Sequence, residues 1–423
     1  MMTNSTRRVV VIGQGYVGLP LAMRAVEVGF DVIGFDLDNN KISGLTAGRS
    51  HIDDTTDADI SRALATGRYL PTLTPDDLAG FDVAVITVPT PLRDGVPDLS
   101  FIESAVELLG EHVTPSCAVI LESTTYPGTT DELVAPRLED ASGLEAGSDF
   151  HVGFSPERID PGNVEWDFVR TPKVVSGLTP ASLEVVREFY DLLVERTVPV
   201  ITTRAAEMTK LLENTFRHVN IALVNELAMH AHALDIDIWE VVEAAGSKPF
   251  GYTQFWPGPG VGGHCLPIDP TYLSWKVEQQ LGTASRFIDI ANDINNHMPA
   301  YVVRRVQLGL NARRKPVNGS RILILGLAYK RNSSDARETP ATGVIHGLVE
   351  LGAAVRVHDE HVGAHGIDAV AERVKLTVEE LALADCVVIL TDHDDIDYDL
   401  VVAESDFVFD TRHRLSAASV ESL

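Results

Sequence analysis

The sequence predicts an α/β protein made of two Rossmann-like, doubly wound domains joined by a long central helix. Three observations carry that prediction. Strand-like apolar runs alternate with helix-like ones from residue 9 to about residue 200, a proline-free helical run covers 205–245, and the strand-and-turn pattern returns after residue 320. Alternation of strand and helix buries both faces of a sheet, which selects parallel strands with helices on either side. The predicted domains are 1–204, a dinucleotide-binding domain; 205–312, a central helical domain; and 313–423, a second Rossmann-like domain.

The first strand, Val9-Val-Val-Ile12, runs into Gly13-Gln-Gly15-Tyr16-Val17-Gly18 and then a helix-compatible stretch, Leu19 to Val28. In this order the first glycine permits a tight turn, the second lets the backbone approach a pyrophosphate, and the third allows close helix–strand packing. The helix N-terminus then faces the anion. A second strand, Val32-Ile-Gly-Phe35, ends in Asp36, at about the distance where a carboxylate meets a ribose hydroxyl. Asp36 favours NAD over NADP, because a 2′-phosphate would meet like charge. Further strands are expected at Val83–Val88, Ala118–Glu122, His151–Phe154 and Val198–Ile201.

In the central run, Leu211, Leu212, Val219, Ile221, Leu223, Val224, Leu227 and Ala228 recur at helical spacing, which predicts one long helix or a helix pair. Glu207, Lys210 and Asn214 share one face of it. A solvated face is the ordinary meaning of such a trio, while a cation and an amide on one rigid helix can also hold an oxyanion. A second helix is expected over Ser285–Asn311. The C-terminal pattern Arg321–Gly326, Ala354–Asp359, Cys386–Leu390 and Phe407–Asp410 repeats the strand order, but its first turn, Gly326-Leu-Ala-Tyr-Lys330-Arg, lacks the glycine triplet. That domain is expected to hold a nucleotide or phosphate other than a second NAD.

The segment Gly258-Pro-Gly-Val-Gly-Gly-His-Cys-Leu-Pro-Ile-Asp269 places one cysteine after a glycine-rich turn, with a carboxylate four residues on. Cys117 and Cys386 lie in short apolar runs and read as buried strand residues, whereas Cys265 lies among glycine and proline and reads as a nucleophile. Asp269 is the candidate base, directly or through water, with a structural hydrogen bond beside a proline as the alternative. His264 is adjacent in sequence, and neighbours on a loop point apart, so it is the weaker base. The run Glu122-Ser-Thr-Thr-Tyr-Pro-Gly128 and the run Gly153-Phe-Ser-Pro-Glu157-Arg158 stand at strand ends, where an open parallel sheet presents its ligands. The stretch Asp392-His-Asp-Asp-Ile-Asp397 has divalent-ion chemistry but reads as a solvated loop, and no metal is expected.

Composition sets the bounds. The 423 residues are 45% hydrophobic and 22% charged, ordinary for a soluble globular protein of two or three domains. No apolar run approaches the roughly 20 residues that span a bilayer, and the N-terminal residues lack the apolar middle of a signal peptide, so a cytoplasmic location is expected. Three cysteines make no disulfide framework. A formal charge of −27 argues against nucleic acid and anionic membrane surfaces as partners.

Together these motifs resemble the nucleotide-sugar 6-dehydrogenases of the UDP-glucose/GDP-mannose dehydrogenase family. The likeness rests on the glycine triplet, Val88-Pro89-Thr90-Pro91, Glu122–Gly128, Ser155-Pro-Glu157-Arg158, Glu207-Met-Thr-Lys210 with Asn214, Gly262-Gly-His-Cys265 with Asp269, and Gly326–Lys330 running to Ser334-Asp-Ala-Arg337-Glu-Thr-Pro340. It implies a four-electron oxidation of a sugar C6 alcohol to a carboxylate with two NAD in turn and no metal. Cys265 would trap the aldehyde as a thiohemiacetal, Lys210 and Asn214 would stabilise its oxyanion, and Thr124, Glu157 and Asp269 would position the water that hydrolyses the later thioester. The resemblance further implies that Pro89, Thr90 and Thr124 close over NAD. It gives Lys330 and Arg337 to the nucleotide diphosphate, with Arg337 reaching the cofactor side as well. It also gives Glu157, Arg158, Phe250, Tyr252 and Gly262 to the substrate. Family dimers pair through the central helices, so a helical dimerisation domain and a homodimer are expected.

One position departs from the glucose-specific pattern: Pro161 stands where those relatives carry a second glutamate. The Ser-Pro-Glu-Arg-x-x-Pro-Gly form resembles enzymes of UDP-N-acetylhexosamines. UDP-N-acetylglucosamine is the expected sugar, with UDP-N-acetylmannosamine, UDP-glucose and a thymidine-diphosphate sugar as alternatives. A two-electron hydroxyacid dehydrogenase, which needs no thiol, is the competing class; a silent nucleotide-binding scaffold is a third.

Overall fold

A computed structural model describes residues 7–52, 54–159, 163, 165–263, 266–363 and 371–423. The chain divides into two compact units. One holds residues up to Glu213 together with Thr271–Gly282, and the other holds Asn214–Pro270 and Thr283–Leu423.

The first unit is built on an eight-stranded sheet. Its strands in chain order are β1 (Arg8–Ile12), β2 (Asp31–Phe35), β3 (Tyr69–Thr72), β4 (Val83–Ile86), then β7 (Ala118–Leu121), β8 (His151–Phe154), β9 (Lys173–Gly177) and β10 (Thr197–Pro199); β5 (Leu92–Arg93) and β6 (Val96–Pro97) form a separate small hairpin. The spatial order is β10-β9-β8-β7-β4-β1-β2-β3. All pairs are parallel except β8 with β9. The chain leaves β1 for β2 on one side and returns to β4 on the other, so the crevice at their carboxyl ends is the switch point where such sheets bind ligands. Val9, Val10 and Val11 are fully buried, as a parallel strand covered on both faces requires.

The second unit contains a six-stranded parallel sheet. Its strands are β11 (Arg321–Leu325), β12 (Ala354–His358), β13 (Glu372–Arg373), β14 (Cys386–Ile389), β15 (Val408–Asp410) and β16 (Val420–Ser422), in the order β13-β12-β11-β14-β15-β16. Two Rossmann-like sheets are therefore present, as expected. The strands β3, β5, β6, β9, β13 and β16 were not expected. β3 contains Pro71 and lies at the sheet edge, where a missing N–H is tolerated.

The helix Thr203–Ala233 runs through 31 residues, and Ile238–Gly246 is a separate helix. The break comes from two aspartates. Asp235 adopts φ +56°, and the Asp237 carboxylate caps the next helix by accepting from the Trp239 and Glu240 amides at 2.8 and 3.4 Å. A third long helix, Arg286–Ala312, buries Met298, Val302 and Val306 in the core of the second unit. No helix among the described residues is long and apolar enough to cross a membrane.

The turn after β11 shows why its domain departs from the first. Asp359, at the end of β12, accepts from the Leu327 and Ala328 amides at 2.6 and 3.1 Å, from those of His361 and Val362 at 2.8 and 2.9 Å, and from His393 Nε2 at 3.1 Å. The backbone donors of a phosphate-binding turn are thus already used. Burial pushes the Asp359 carboxyl up, but the His393 and backbone donors outweigh it and hold the group well below the ordinary carboxylate range.

Asp359→Ala is expected to lower stability by about 2–4 kcal/mol, because several buried donors lose their acceptor. The folded-state carboxyl is depressed, so its stabilisation is present above the ordinary value of 3.8 and is lost as pH falls below it. Denaturant titrations should show the gap between wild type and variant shrinking below about pH 4.

Candidate active site

In the first unit the turn after β1 has the geometry of a dinucleotide site. Gly13 takes φ +96° and donates its amide to Phe35 at 2.8 Å. A Cβ on Gly18 would lie 1.9 Å from the Gly13 carbonyl, which leaves room for glycine alone, whereas a Cβ on Gly15 would meet nothing within 4 Å. The backbone is therefore tight below the turn and open above it, a fit for the pyrophosphate of NAD. Asp36 accepts from the Gln14 and Asp38 amides, both at 2.9 Å, and from Lys41 Nζ at 3.3 Å. Tyr16 and Val17 follow in the turn, with Val17 as the helix N-cap residue.

At the ends of β4 and β7, the Ser123 hydroxyl donates to the Val88 carbonyl at 2.7 Å, which ties the Pro89-Thr90 segment to the Thr124 segment. Thr90 is buried and its carbonyl accepts from the Tyr272 hydroxyl at 2.5 Å, while Pro89 is exposed and Thr124 half-buried. Glu157 follows β8; its Oε1 accepts from the Arg158 and Ile159 amides at 2.6 Å each. The Arg158 guanidinium is committed to Glu213, at 2.7 and 3.2 Å, and to the Pro172 carbonyl at 2.6 Å. Lys210 is buried and donates from Nζ to the Glu157 carbonyl at 2.6 Å.

Glu207 lies one turn earlier on the same helix and is fully buried. It accepts from the Gly128 amide at 2.6 Å and from the Thr130 amide and hydroxyl at 2.8 and 2.7 Å. The predicted face of the helix is thus a buried polar face, not a solvated one. Burial pushes the Glu207 carboxyl up to about 7 against those three hydrogen bonds.

In the second unit, Asn214 Nδ2 donates to Asp269 Oδ2 at 2.5 Å, and both residues are buried. The glycines before Cys265 pack against the turn after β11. The Gly263 amide donates to the Arg337 carbonyl at 3.0 Å, and a Cβ on Gly262 would lie 2.7 Å from that of Tyr329. Arg337 itself clasps Asp335, at 2.6 to 3.1 Å, and Lys330 is half-buried. Phe250 is 71% exposed with Lys248 Nζ 5.0 Å from its ring centre, and Tyr252 is exposed too. His264, Cys265, Pro161 and Gly162 lie outside the described residues.

Several site residues were not anticipated. Asn225, fully buried on the long helix, accepts from the Gly258 amide at 2.9 Å and donates to Asn295 at 3.0 Å, so it anchors the glycine-proline loop. A cavity of about 720 Å³ in the first unit borders Tyr16, and one of about 650 Å³ in the second is lined by Trp239, Trp256, Arg331, Arg412 and His413. In the latter Trp239 is stacked with Trp256, at 5.5 Å, and with His413, at 4.9 Å, and Arg412 donates to the Leu390 carbonyl at 2.7 Å. Two tryptophans 17 positions apart and an arginine more than 150 positions beyond them give no local sequence signal.

The Asp392–Asp397 stretch meets His361. His361, His393 and Asp395 present ligand-type atoms within 4.8 Å of one another. The Asn332 amide donates to His393 Nδ1 at 2.9 Å, which places the ring proton on Nε2, toward Asp359. Both His393 nitrogens are therefore occupied by hydrogen bonds.

Comparison with known proteins gives three consecutive matches to models of the UDP-glucose/GDP-mannose dehydrogenase family: its NAD binding domain at residues 7–194, its central domain at 204–297 and its UDP binding domain at 323–417. A UDP-N-acetyl-D-mannosamine dehydrogenase of Pyrococcus horikoshii is 36% identical over 388 residues, 91% of this chain and 89% of that protein. A UDP-N-acetyl-D-glucosamine 6-dehydrogenase of Pseudomonas aeruginosa is 39% identical over 361 residues, 84% of this chain and 83% of that one. The solved structure of the UDP-D-ManNAc dehydrogenase from Pyrococcus horikoshii superposes with a TM-score of 0.90 at 32% identity, covering 98% of both chains.

Glu207→Ala leaves the Gly128 and Thr130 donors without an acceptor and should lower stability by about 2–4 kcal/mol near pH 5. Because the folded-state carboxyl is raised, the native protein holds a proton there that the unfolded chain releases, so wild-type stability falls as pH rises from 4.5 through about 7. The difference between wild type and variant is therefore expected to be largest near pH 5 and to narrow toward pH 8 in urea titrations.

Proposed function

Because this chain belongs to the UDP-glucose/GDP-mannose dehydrogenase family and is an NAD-dependent nucleotide-sugar dehydrogenase, we propose that it oxidises the C6 alcohol of UDP-N-acetylglucosamine to the uronic acid through a covalent adduct on Cys265. The observation that carries this reading is the buried 2.5 Å hydrogen bond from Asn214 to Asp269. It ties the end of the cysteine-bearing segment to the helix that also carries Lys210. The mannosamine epimer is the second reading, favoured by the relative of 36% identity.

In the proposed reaction the Gly13–Gly18 turn and Asp36 would hold NAD, which would supply the hydride acceptor for both oxidations of the sugar. Asp269, through water, takes the C6 hydroxyl proton as the first hydride leaves. The Cys265 thiolate then adds to the aldehyde carbon, and the new C–O⁻ is stabilised by the Lys210 ammonium and the Asn214 amide. Loss of the second hydride leaves a thioester. Water held by Thr124, Glu157 and Asp269 attacks it and releases the carboxylate and the thiolate. One sugar and one water thus give one carboxylate, two hydrides and three protons. The aldehyde stays attached throughout, so it cannot escape between the two oxidations.

For the nucleotide, we assign the diphosphate to Lys330 and Arg337 and the base to the cavity around Trp239 and Arg412. Stacked aromatic faces beside guanidinium groups match a base and its phosphates. We also assign a homodimer. Leu212, Phe216, Leu223 and Leu227 leave an apolar stripe exposed along the long helix, which a second copy would cover. Light scattering at micromolar concentration should give twice the mass of 45.9 kDa; a monomeric mass refutes the assignment.

The mechanism is tested by counting NADH per molecule of limiting sugar for UDP-N-acetylglucosamine, UDP-N-acetylmannosamine, UDP-glucose and TDP-glucose. Two per sugar with one substrate, and none of the acid with Cys265→Ser, is the expected result. One per sugar with an indifferent variant would mean a two-electron alcohol dehydrogenase.

A further inference from the structure

The one antiparallel pair in the first sheet has a chemical consequence. Residues Phe154 and Gly153 of β8 face Ser176 and Gly177 of β9, and continuing that register sets Glu157 opposite Lys173. The reversal thereby brings the first residue of β9 to the edge where β7 and β8 end, so Lys173 meets Glu122 from one strand and Glu157 from the other. Its Nζ lies 3.0 Å from Glu122 Oε1 and 3.3 Å from Glu157 Oε2, and its side chain is only 5% exposed.

The surroundings are closed. The Tyr190 hydroxyl donates to Glu122 Oε1, and the Tyr190 and Phe168 rings lie 5.3 and 5.7 Å from the ammonium. Among the described residues Glu122 Oε2 is buried and has no hydrogen-bond partner. Burial pushes the Glu122 carboxyl up, with the Lys173 charge opposing it, and the two carboxylates raise the Lys173 ammonium against its own burial. Of the other cations beside Glu157, Arg158 is taken by Glu213 and Lys210 donates to the Glu157 carbonyl. Two carboxylates therefore share one ammonium out of water.

Glu157 is held from three sides: two backbone amides on Oε1, Lys173 on Oε2, and Lys210 on its carbonyl oxygen. We infer that Lys173 is a positioning residue. It fixes the Glu157 carboxylate for the hydrolytic water, and Glu122 sets how much of its charge Glu157 receives. The inference rests on the hydrolytic role proposed for Glu157. Removing the ammonium leaves two carboxylates to share a proton, which withdraws the acceptor that the water step needs. Neutralising Glu122 has the opposite effect, because the whole ammonium then belongs to Glu157.

The test measures kcat and KM against pH for the two-NADH reaction in Lys173→Met, Lys173→Arg, Glu122→Gln, Glu157→Gln and the double variant Lys173→Met/Glu122→Gln. Lys173→Met should lose about 100-fold in kcat, the scale of a misplaced catalytic group, with KM for sugar and NAD within about threefold. Its acid limb should move up by about one pH unit or more. Glu122→Gln should move that limb down, and Lys173→Arg should recover most of the rate. The double variant has no buried like-charge pair. If Lys173→Met fails to fold, this variant carries the test: Glu157 keeps its charge there but loses the ammonium that fixes it, so kcat should still fall below wild type. Wild-type kcat and pH profile in Lys173→Met or in the double variant, or the same direction of shift in Glu122→Gln and Lys173→Met, overturns the inference. Glu157→Gln separates the two levels. Full turnover there refutes the role of Glu157 itself, whereas a slow Glu157→Gln beside an unaffected Lys173→Met refutes the role of Lys173 alone.

Discussion

One long helix carries three buried polar contacts. Glu207, Lys210 and Asn214 leave the buried side of Thr203–Ala233 and each ends on a different loop: the first on the segment after β7, the second on the segment after β8, the third on Asp269. A buried polar side chain that lost its partner would cost more than the bond contributes, so each contact is all-or-none and fixes its loop closely. Within the first unit, a helical stretch without glycine or proline is a rigid mount for the Glu207 and Lys210 contacts. Each loop would otherwise be free to move, since strand-end loops carry few packing constraints of their own.

The two Rossmann turns show how one topology supports different uses. In the first, Gly15 faces open space and Asp36 accepts from a single amide of the glycine turn. In the second, Asp359 takes two amides of the turn, two of its own loop and an imidazole. An amide already bonded to a buried carboxylate cannot also cradle a phosphate. The missing glycine triplet and the saturated aspartate are thus two expressions of one change, and only the first is visible in sequence.

What was legible in the sequence was periodic or contiguous. The apolar runs of β1, β2, β4, β7 and β8 were read from composition, and the glycine spacing led directly to the turn at Gly13. The helix break at Asp235 was less visible, because it depends on a left-handed aspartate and a cap and not on glycine or proline. The reversal of β9 was not visible at all: Lys173-Val-Val-Ser-Gly177 is an ordinary buried strand, and its direction is set by tertiary pairing. Lys173, Asn225 and Arg412 went unread for the same reason. Their partners lie 16 to 51, 33 to 70 and 22 positions away, respectively, and a charge or an amide shows no period.

The charge balance of the site follows from partner type. The chain carries −27 overall, yet the proposed substrate is itself an anion. Many of its cations are paired with carboxylates: Lys173 with Glu122 and Glu157, Arg158 with Glu213, Arg331 with Asp394. Lys210 and Arg412 differ, since each donates to a main-chain carbonyl. A carbonyl fixes a cation's position without neutralising it, so the charge remains available to a ligand. A strongly acidic protein can therefore receive an anion without a basic surface, provided that a few buried cations are oriented by dipoles and the rest are held by carboxylates. The long-range field then favours solubility, and recognition is left to short distances, where burial strengthens each interaction.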